Sequence, residues 1–179
     1  PFDEARIKEA MFRPYVRRQV YFDTHFNGRT YQLPRMFEDE PNPCFWFSDK
    51  GYRTSFSSLA TDVMADLHVL AAPDGFQGVS RYRYTKSGER IDNVTDWALN
   101  KFIKQYGKKP FKPDGGKLEV TKDAIFAYCY AVLHDPVYRE KYALNLKREF
   151  PRIPFYPDFA QWVEWGETLL GLHIDYEKV

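Results

Sequence analysis

The stretch TKDAIFAYCYAVLHDPVYREKYALNLKREFPRIPFYPDFAQWVEWGETLLGLHIDY, Thr121 to Tyr176, decides the fold class. Ile125, Cys129, Val132 and Leu133 recur on one face at helical period, with Phe126 and Tyr130 beside them. Asp135-Pro136 ends that helix and starts another, because Asp caps and Pro is tolerated at the first helical position. Tyr138, Tyr142, Leu146 and Phe150 make the second stripe. Pro151, Pro154 and Pro157 forbid helix between them, which predicts an extended crossing. Asp158 is placed to cap a third helix with Phe159, Trp162, Val163, Gly166, Leu169 and Leu170 inward, and Gly171 stands where a left-handed C-cap belongs.

Working outward, the N-terminal half has a different texture. Phe2 to Met11 reads as a short helix with Phe2, Ile7, Ala10 and Met11 inward, ended by Pro14. Tyr15 to Phe22 is strand-like, and Asn27-Gly28 predicts a turn into a second strand, Arg29 to Leu33. PCFWFS, Pro43 to Ser48, is a continuous apolar run that suits a buried strand. Asp49-Lys50-Gly51 is a turn before a weaker strand at Tyr52 to Phe56. Leu67 to Ala72 is another apolar run, closed by Pro73-Asp74-Gly75, and Val79 to Thr85 is a further strand. Helical period returns from Asp92 to Tyr106, with Val94, Trp97, Ala98, Phe102 and Ile103 on one side. Gly107 to Gly116 is a loop and the best candidate boundary. The expected architecture is α+β: one domain over 1–179, with a strand-rich part (1–90) packed on a helical part (91–179) of about four helices.

Composition narrows the functions. The chain has 179 residues, 44% hydrophobic and 18% aromatic, which suits a packed globule. Its 26 Lys and Arg against 25 Asp and Glu leave a net charge of +1, so an anionic partner must be met by locally segregated charge. Cys44 and Cys129 read as reduced core thiols in a cytoplasmic protein. No apolar run approaches the ~20 residues of a membrane span. The first residue is not Met and lies within a helical pattern, which is expected of a piece of a longer protein.

Catalytic constellations are missing from the pattern. Asn42-Pro43-Cys44-Phe45 approaches the Asp/Asn-Pro-Pro-aromatic motif of adenine methyltransferases, but lacks the second Pro and any preceding glycine-rich loop; a turn before a buried strand explains it better. His25, His68, His134 and His173 have no metal-ligand spacing. His134 ends a helix, where an imidazolium would suit the dipole. No nucleophile elbow, Walker loop or paired-carboxylate nuclease motif is present.

Basic residues do cluster. From Lys101 to Lys117 six lysines (101, 104, 108, 109, 112 and 117) face one acid, Asp114. Arg13, Arg17 and Arg18 flank the first strand. RYRYTK, Arg81 to Lys86, would put Arg81 and Arg83 on one strand face and Tyr82 and Tyr84 on the other. Such interleaving suits phosphate contact and base-edge reading. Arg152, between Pro151 and Ile153, reads as a tie to carbonyls or a carboxylate.

The phrases IFAYCYAVLHDPVYREKYALNLKREFPRIPFYPDFAQW and LLGLHIDYE resemble the C-terminal segment of type ISP restriction-modification enzymes. FRPYVRRQVYFD (Phe12 to Asp23), YQLPRMF (Tyr31 to Phe37) and FSSLATD (Phe56 to Asp62) resemble the same family in the same order. The likeness departs at Ser80 to Tyr84, where the family usually carries an apolar-aromatic run. It implies a DNA target-recognition domain that binds double-stranded DNA and positions an adenine methyltransferase. The upstream methyltransferase and helicase domains of the same chain would be its partners. S-adenosylmethionine and ATP with Mg are implied for the parent protein and none for this segment, which is expected to catalyse nothing alone. Candidate DNA contacts are Arg13, Arg17, Arg18, Arg29, Arg35, Arg81, Arg83, Lys86, Lys101, Lys104, Lys108 and Lys109. A module that couples methyltransferase to helicase without touching DNA is the alternative.

Overall fold

The computed structural model describes every residue except Pro1, Thr24, Asp39, Glu40, Ala72, Pro73, Pro113 and Val179. Its centre is β3 (Cys44–Ser48), whose five residues are all buried because both faces are covered. Strand alternation sends Phe45 and Phe47 one way, into a core shared with the helices. Cys44 and Trp46 point the other way, into a smaller core with Met11, Phe37, Leu59, Met64 and Val69. The buried apolar run anticipated at 43–48 is therefore the element that joins two cores. It pairs antiparallel with β4 (Ser58–Thr61) and β6 (Phe76–Ser80). Gly78 faces Trp46, and a Cβ there would meet the indole at 2.2 Å, so only glycine fits. The indole Nε1 donates to Thr61 Oγ1 at 2.8 Å.

A second sheet orders β2 (Val16–Tyr21), β1 (Ile7–Arg13) and β5 (Met64–Ala65), with β5 parallel to β1. A two-stranded ribbon of β7 (Tyr82–Tyr84) and β8 (Arg90–Asp92) completes the strands among the described residues. The expected helix at Phe2 to Met11 is instead a 3₁₀ turn at Glu4–Arg6 followed by β1. Pairing on both edges overrides the helical period, and Phe2 stays 70% exposed. The hairpin predicted across Asn27-Gly28 forms earlier, across Pro14-Tyr15, with Tyr15 in the left-handed region at φ 62°. Arg29 to Leu33 pairs with nothing; α1 (Leu33–Met36) starts there instead, with Pro34 in its first turn.

Tyr52 and Phe56 are core anchors on a loop rather than a strand, and the strand comes later, as β4. Leu67 to Ala71 is irregular: Val69 is buried, Leu67 exposed. The end of that run, Ala72 and Pro73, lies outside the described residues. The strand expected over Val79 to Thr85 is split at Arg81 into β6 and β7.

The helical part follows the sequence more closely. Thr95 caps α2 (Asp96–Tyr106), its hydroxyl accepting from the Ala98 amide. Thr121 caps α3 (Lys122–His134) in the same way, and α3 is buried almost all round. Asp135 caps α4 (Pro136–Lys141), after which α5 (Ala143–Leu146) is a single turn. The Pro-rich crossing is extended as expected, and tyrosine hydroxyls hold it. Tyr128 donates to the Pro154 carbonyl at 2.8 Å and accepts from the Tyr156 amide at 2.7 Å; Tyr138 donates to the Arg152 carbonyl at 3.1 Å. The Arg152 side chain, 84% exposed, makes the expected tie to a carboxylate, that of Glu149 at 2.5 Å, while the tyrosines hold the crossing's backbone.

Asp158 occupies the N-cap of α6 (Phe159–Ile174) in a left-handed conformation without a side-chain cap bond. Gly171 does not end α6, which runs three residues further. Gly166 is the structurally required glycine, because a Cβ there would lie 2.0 Å from the Ala127 carbonyl oxygen. The inward stripes expected of α3 and α6 share one core: Phe126 and Leu133 are buried, and Cys129, Trp162 and Leu169 pack half-buried against it. Strands and helices together make the fold α+β.

Candidate nucleic-acid interface

The basic candidates fall into two groups. The first is built into the fold. Arg81, with only 7% of its side chain exposed, donates from Nε to Asp123 Oδ1 at 2.5 Å and from Nη1 to Asp92 Oδ1 at 2.6 Å. Asp123 belongs to the first turn of α3 and Asp92 ends β8, so Arg81 clamps the ribbon to the helix. Lys122 extends the network to Asp92 and Asp96 at 3.0 and 2.7 Å. The Arg81 and Lys122 hydrogen bonds hold the Asp92 carboxyl below the usual carboxylate range. Arg81 therefore does not share an outward face with Arg83: it precedes β7 and turns inward, because two carboxylates satisfy it there.

Arg17 is also bound internally. It donates to Glu9 at 2.7 Å, to Asp62 at 2.9 Å and to the Ile174 carbonyl at 3.0 Å, joining β2 to the end of α6. Arg13 pairs with Asp66 at 2.9 Å and lies over the Phe12 ring, though nearly half its side chain is exposed.

The second group faces outward. Arg18 and Arg29 line one groove of about 290 Å³ beside β2, with Phe12, Gln19, Asn27 and Asp66 in its wall. Arg35 is exposed in the last turn of α1. Arg83 is exposed on β7, and Lys86 on the turn between β7 and β8. Asn42 ties α1 to β7: its Nδ2 donates at 2.7 Å to the carbonyls of both Met36 and Tyr82, and its Oδ1 accepts from the Tyr82 amide. Asn42 is fully buried, so the residue in the near-miss methyltransferase motif is a brace.

Lys101, Lys104, Lys108, Lys109, Lys112 and Lys117 are all exposed. Trp97, Lys101 and Lys104 recur at i, i+4 and i+7 along α2, which puts them on one stripe. Trp97, expected inward, is 71% exposed, with the Lys101 ammonium 5.5 Å from its ring centre. Ala98, Leu99, Phe102, Ile103 and Tyr106 supply the inner face instead. Phe111, not among the residues that the sequence singles out, is 70% exposed with Lys117 over its ring. Its position between Pro110 and Lys112, in a lysine-rich loop, was the available signal. The whole of residues 1–179 matches the family described as Type ISP C-terminal specificity domain.

The chain belongs to the Type ISP C-terminal specificity domain family. Among solved structures, the domain is similar to a chain in the "cryoEM structure DrdV-DNA complex", at 39% identity and TM-score 0.87, covering 99% of this chain and 16% of that one. It is similar, at 27% identity and TM-score 0.78, to a nuclease-deletion mutant of the Type ISP restriction-modification enzyme LlaGI in complex with a DNA substrate mimic, covering 99% of this chain and 14% of that one. The ATP-dependent Type ISP restriction-modification enzyme LlaBIII bound to DNA shares the fold, at 24% identity and TM-score 0.80, covering 99% of this chain and 11% of that one. The specificity domain thus spans about a sixth or less of those chains (16%, 14% and 11%). No curated protein was found to match.

Among the described residues no three His, Cys, Asp or Glu side chains converge to hold an ion. His134 is instead a neutral ring. Burial, then the nearby Arg139 and His173, push its pKa down to about 3, which replaces the imidazolium expected at the end of α3. Burial raises both thiols, that of Cys129 to about 12, so neither is a ready nucleophile. No helix is long and apolar enough to cross a membrane, among the described residues.

Proposed function

We propose that this specificity domain binds double-stranded DNA and selects the sequence on which an adenine methyltransferase of the same protein acts. The observation that carries the proposal is the likeness over 99% of the chain, at 39% identity, to a protein solved with DNA. The charge distribution is consistent with it. A chain of net charge +1 exposes six lysines between residues 101 and 117, while Arg81 and Arg17 are bound to carboxylates of the same chain. Lysines there supply phosphate contacts, which position without reading sequence. Base-edge reading falls to exposed arginines, which suit paired acceptors in the major groove: Arg18 and Arg29 beside β2, Arg83 on β7 and Arg35 on α1.

S-adenosylmethionine, ATP and Mg would be held by other parts of the parent protein. The residues here do not fit them: among the described residues no glycine-rich loop connects a strand to a helix start. The domain's own contribution is to hold the duplex, and the purified 179-residue chain should not methylate DNA, cut it or hydrolyse ATP.

A second surface favours a concurrent docking role on the parent's other domains. Val137, Leu144 and Phe150 are 60–70% exposed along the segment that follows α3. Such apolar residues suit contact with another folded unit of the same protein.

The test is a gel-shift at several salt concentrations, on this chain and on its parent. Lys104→Ala with Lys108→Ala should flatten the salt slope by about two units and weaken all sequences alike. Binding that ignores salt, or double-lysine variants with an unchanged slope, would move the interface away from this face.

A further inference from the structure

We propose that the arms 108–112 and 114–120 form a DNA-deforming probe, with Phe111 as an apolar wedge that enters a groove and unstacks one base step. The inference rests on the reading of the domain as a DNA binder.

The two arms pair as a tight hairpin across 108–112 and 116–120. The Val120 amide donates to the Lys108 carbonyl, Leu118 to Pro110 and Lys112 to Gly116, at 3.1, 3.0 and 2.7 Å. Phe111 and Lys117 face each other as a bridge pair. The turn is closed by the Gly115 amide on the Lys112 carbonyl at 3.0 Å and by Asp114 Oδ1, which accepts from the Gly116 amide at 2.8 Å. Gly115 supplies the positive φ, 84°, that the turn needs. The hairpin is rooted in the core through Val120, 4% exposed, and Leu118. The arms that lead to its outer end are therefore anchored before any ligand arrives, which lowers the ordering cost of binding.

At that end an aromatic ring is left in water. Phe111 is 70% exposed, and the Lys117 ammonium sits 5.1 Å from its centre. Lys108, Lys109 and Lys112 are exposed on the same hairpin. A protein groove that took the ring would need carboxylates set around an apolar slot to answer each of these ammonium groups. A duplex offers phosphates to the lysines and stacked base faces to the ring, so the surroundings select nucleic acid. Apolar side chains between basic residues serve as wedges of this kind in proteins that kink DNA.

The test uses the parent protein and duplexes that carry its own modification sequence, with 2-aminopurine placed in turn at each step across and beside that sequence. The wild type should raise fluorescence several-fold at one step. Phe111→Ala should abolish that rise and weaken binding about tenfold while the salt slope stays the same. Phe111→Trp should restore the signal. Lys112→Ala with Lys117→Ala should instead flatten the slope by about two units. A Phe111→Ala variant that keeps both signal and affinity overturns the wedge. So does a wild type that binds with a steep salt slope yet brightens no step, and that result leaves the DNA-binding reading intact. A wild type whose binding shows no salt dependence overturns both.

Discussion

The Arg81 guanidinium and the Asp123 carboxylate, 2.5 Å apart, lock the strand ribbon to the first turn of the long buried helix. Arg81 looks like a base reader in the sequence and is a clamp in the fold. Its removal leaves Asp123 without this partner and Asp92 with Lys122 alone, and both carboxylates retain access to water. Arg81→Ala should therefore cost about 1–3 kcal/mol in urea unfolding, whereas the exposed Arg83→Ala should stay within about 0.5 kcal/mol. An Arg81→Ala variant as stable as the wild type would show that the clamp does not form.

Gly166 lies directly against the Ala127 backbone, where a Cβ would come to 2.0 Å from the carbonyl oxygen. Backbone cannot swing aside as a side chain does, so the two helices must separate. Gly166→Ala should destabilise by about 1–3 kcal/mol or more, despite the better helix propensity of Ala. Gly171→Ala, with open space around the added methyl, should be neutral or stabilising by about 0.5–1 kcal/mol. Equal thermal midpoints for the two variants would contradict the close crossing of α3 and α6.

His134 sits at 5.4 Å from the His173 ring and 4.7 Å from the Tyr130 ring, with Arg139 Nη2 at 3.4 Å from its Nδ1. Its folded pKa of about 3 lies far below the ordinary value, and burial lowers His173 as well. The unfolded chain then binds more protons below pH ~6.5, so stability is lost as pH falls through that value and on towards the folded pKa. Each histidine contributes at most about 1.4 kcal/mol per pH unit. Unfolding midpoints should drop between pH 7 and pH 5, and His134→Leu should reduce the slope. An unchanged slope in that variant would place the proton uptake elsewhere.

Much of the helical half was legible because its signals are local. Thr121, Asp135-Pro136 and the prolines from 151 to 157 act through caps and missing amides within a few residues. The N-terminal half was misread where pairing decides the outcome. Nothing in Ile7 to Arg13 shows that β2 and the two-residue β5, more than 50 positions away in sequence, will pair with it. At the interface, the lysines of 101–117 were visible as a run, since charge without acids nearby stays in solvent. Arg81 was not separable from Arg83, because the carboxylates that claim it come from Asp92 and Asp123, which a single strand does not reveal. Helical period groups Trp97 with Val94, Ala98, Phe102 and Ile103, yet it also sets Trp97 on the stripe of Lys101 and Lys104, and that stripe is the one in solvent.

The central claim is that these 179 residues carry the sequence preference of the parent protein. Exchanging them for the corresponding segment of another family member, and sequencing modified sites across the host genome, tests it directly. The hybrid should modify the donor's sequence and abandon its own. A hybrid that stays active and still modifies the original sequence would contradict the claim and leave the domain a coupling module.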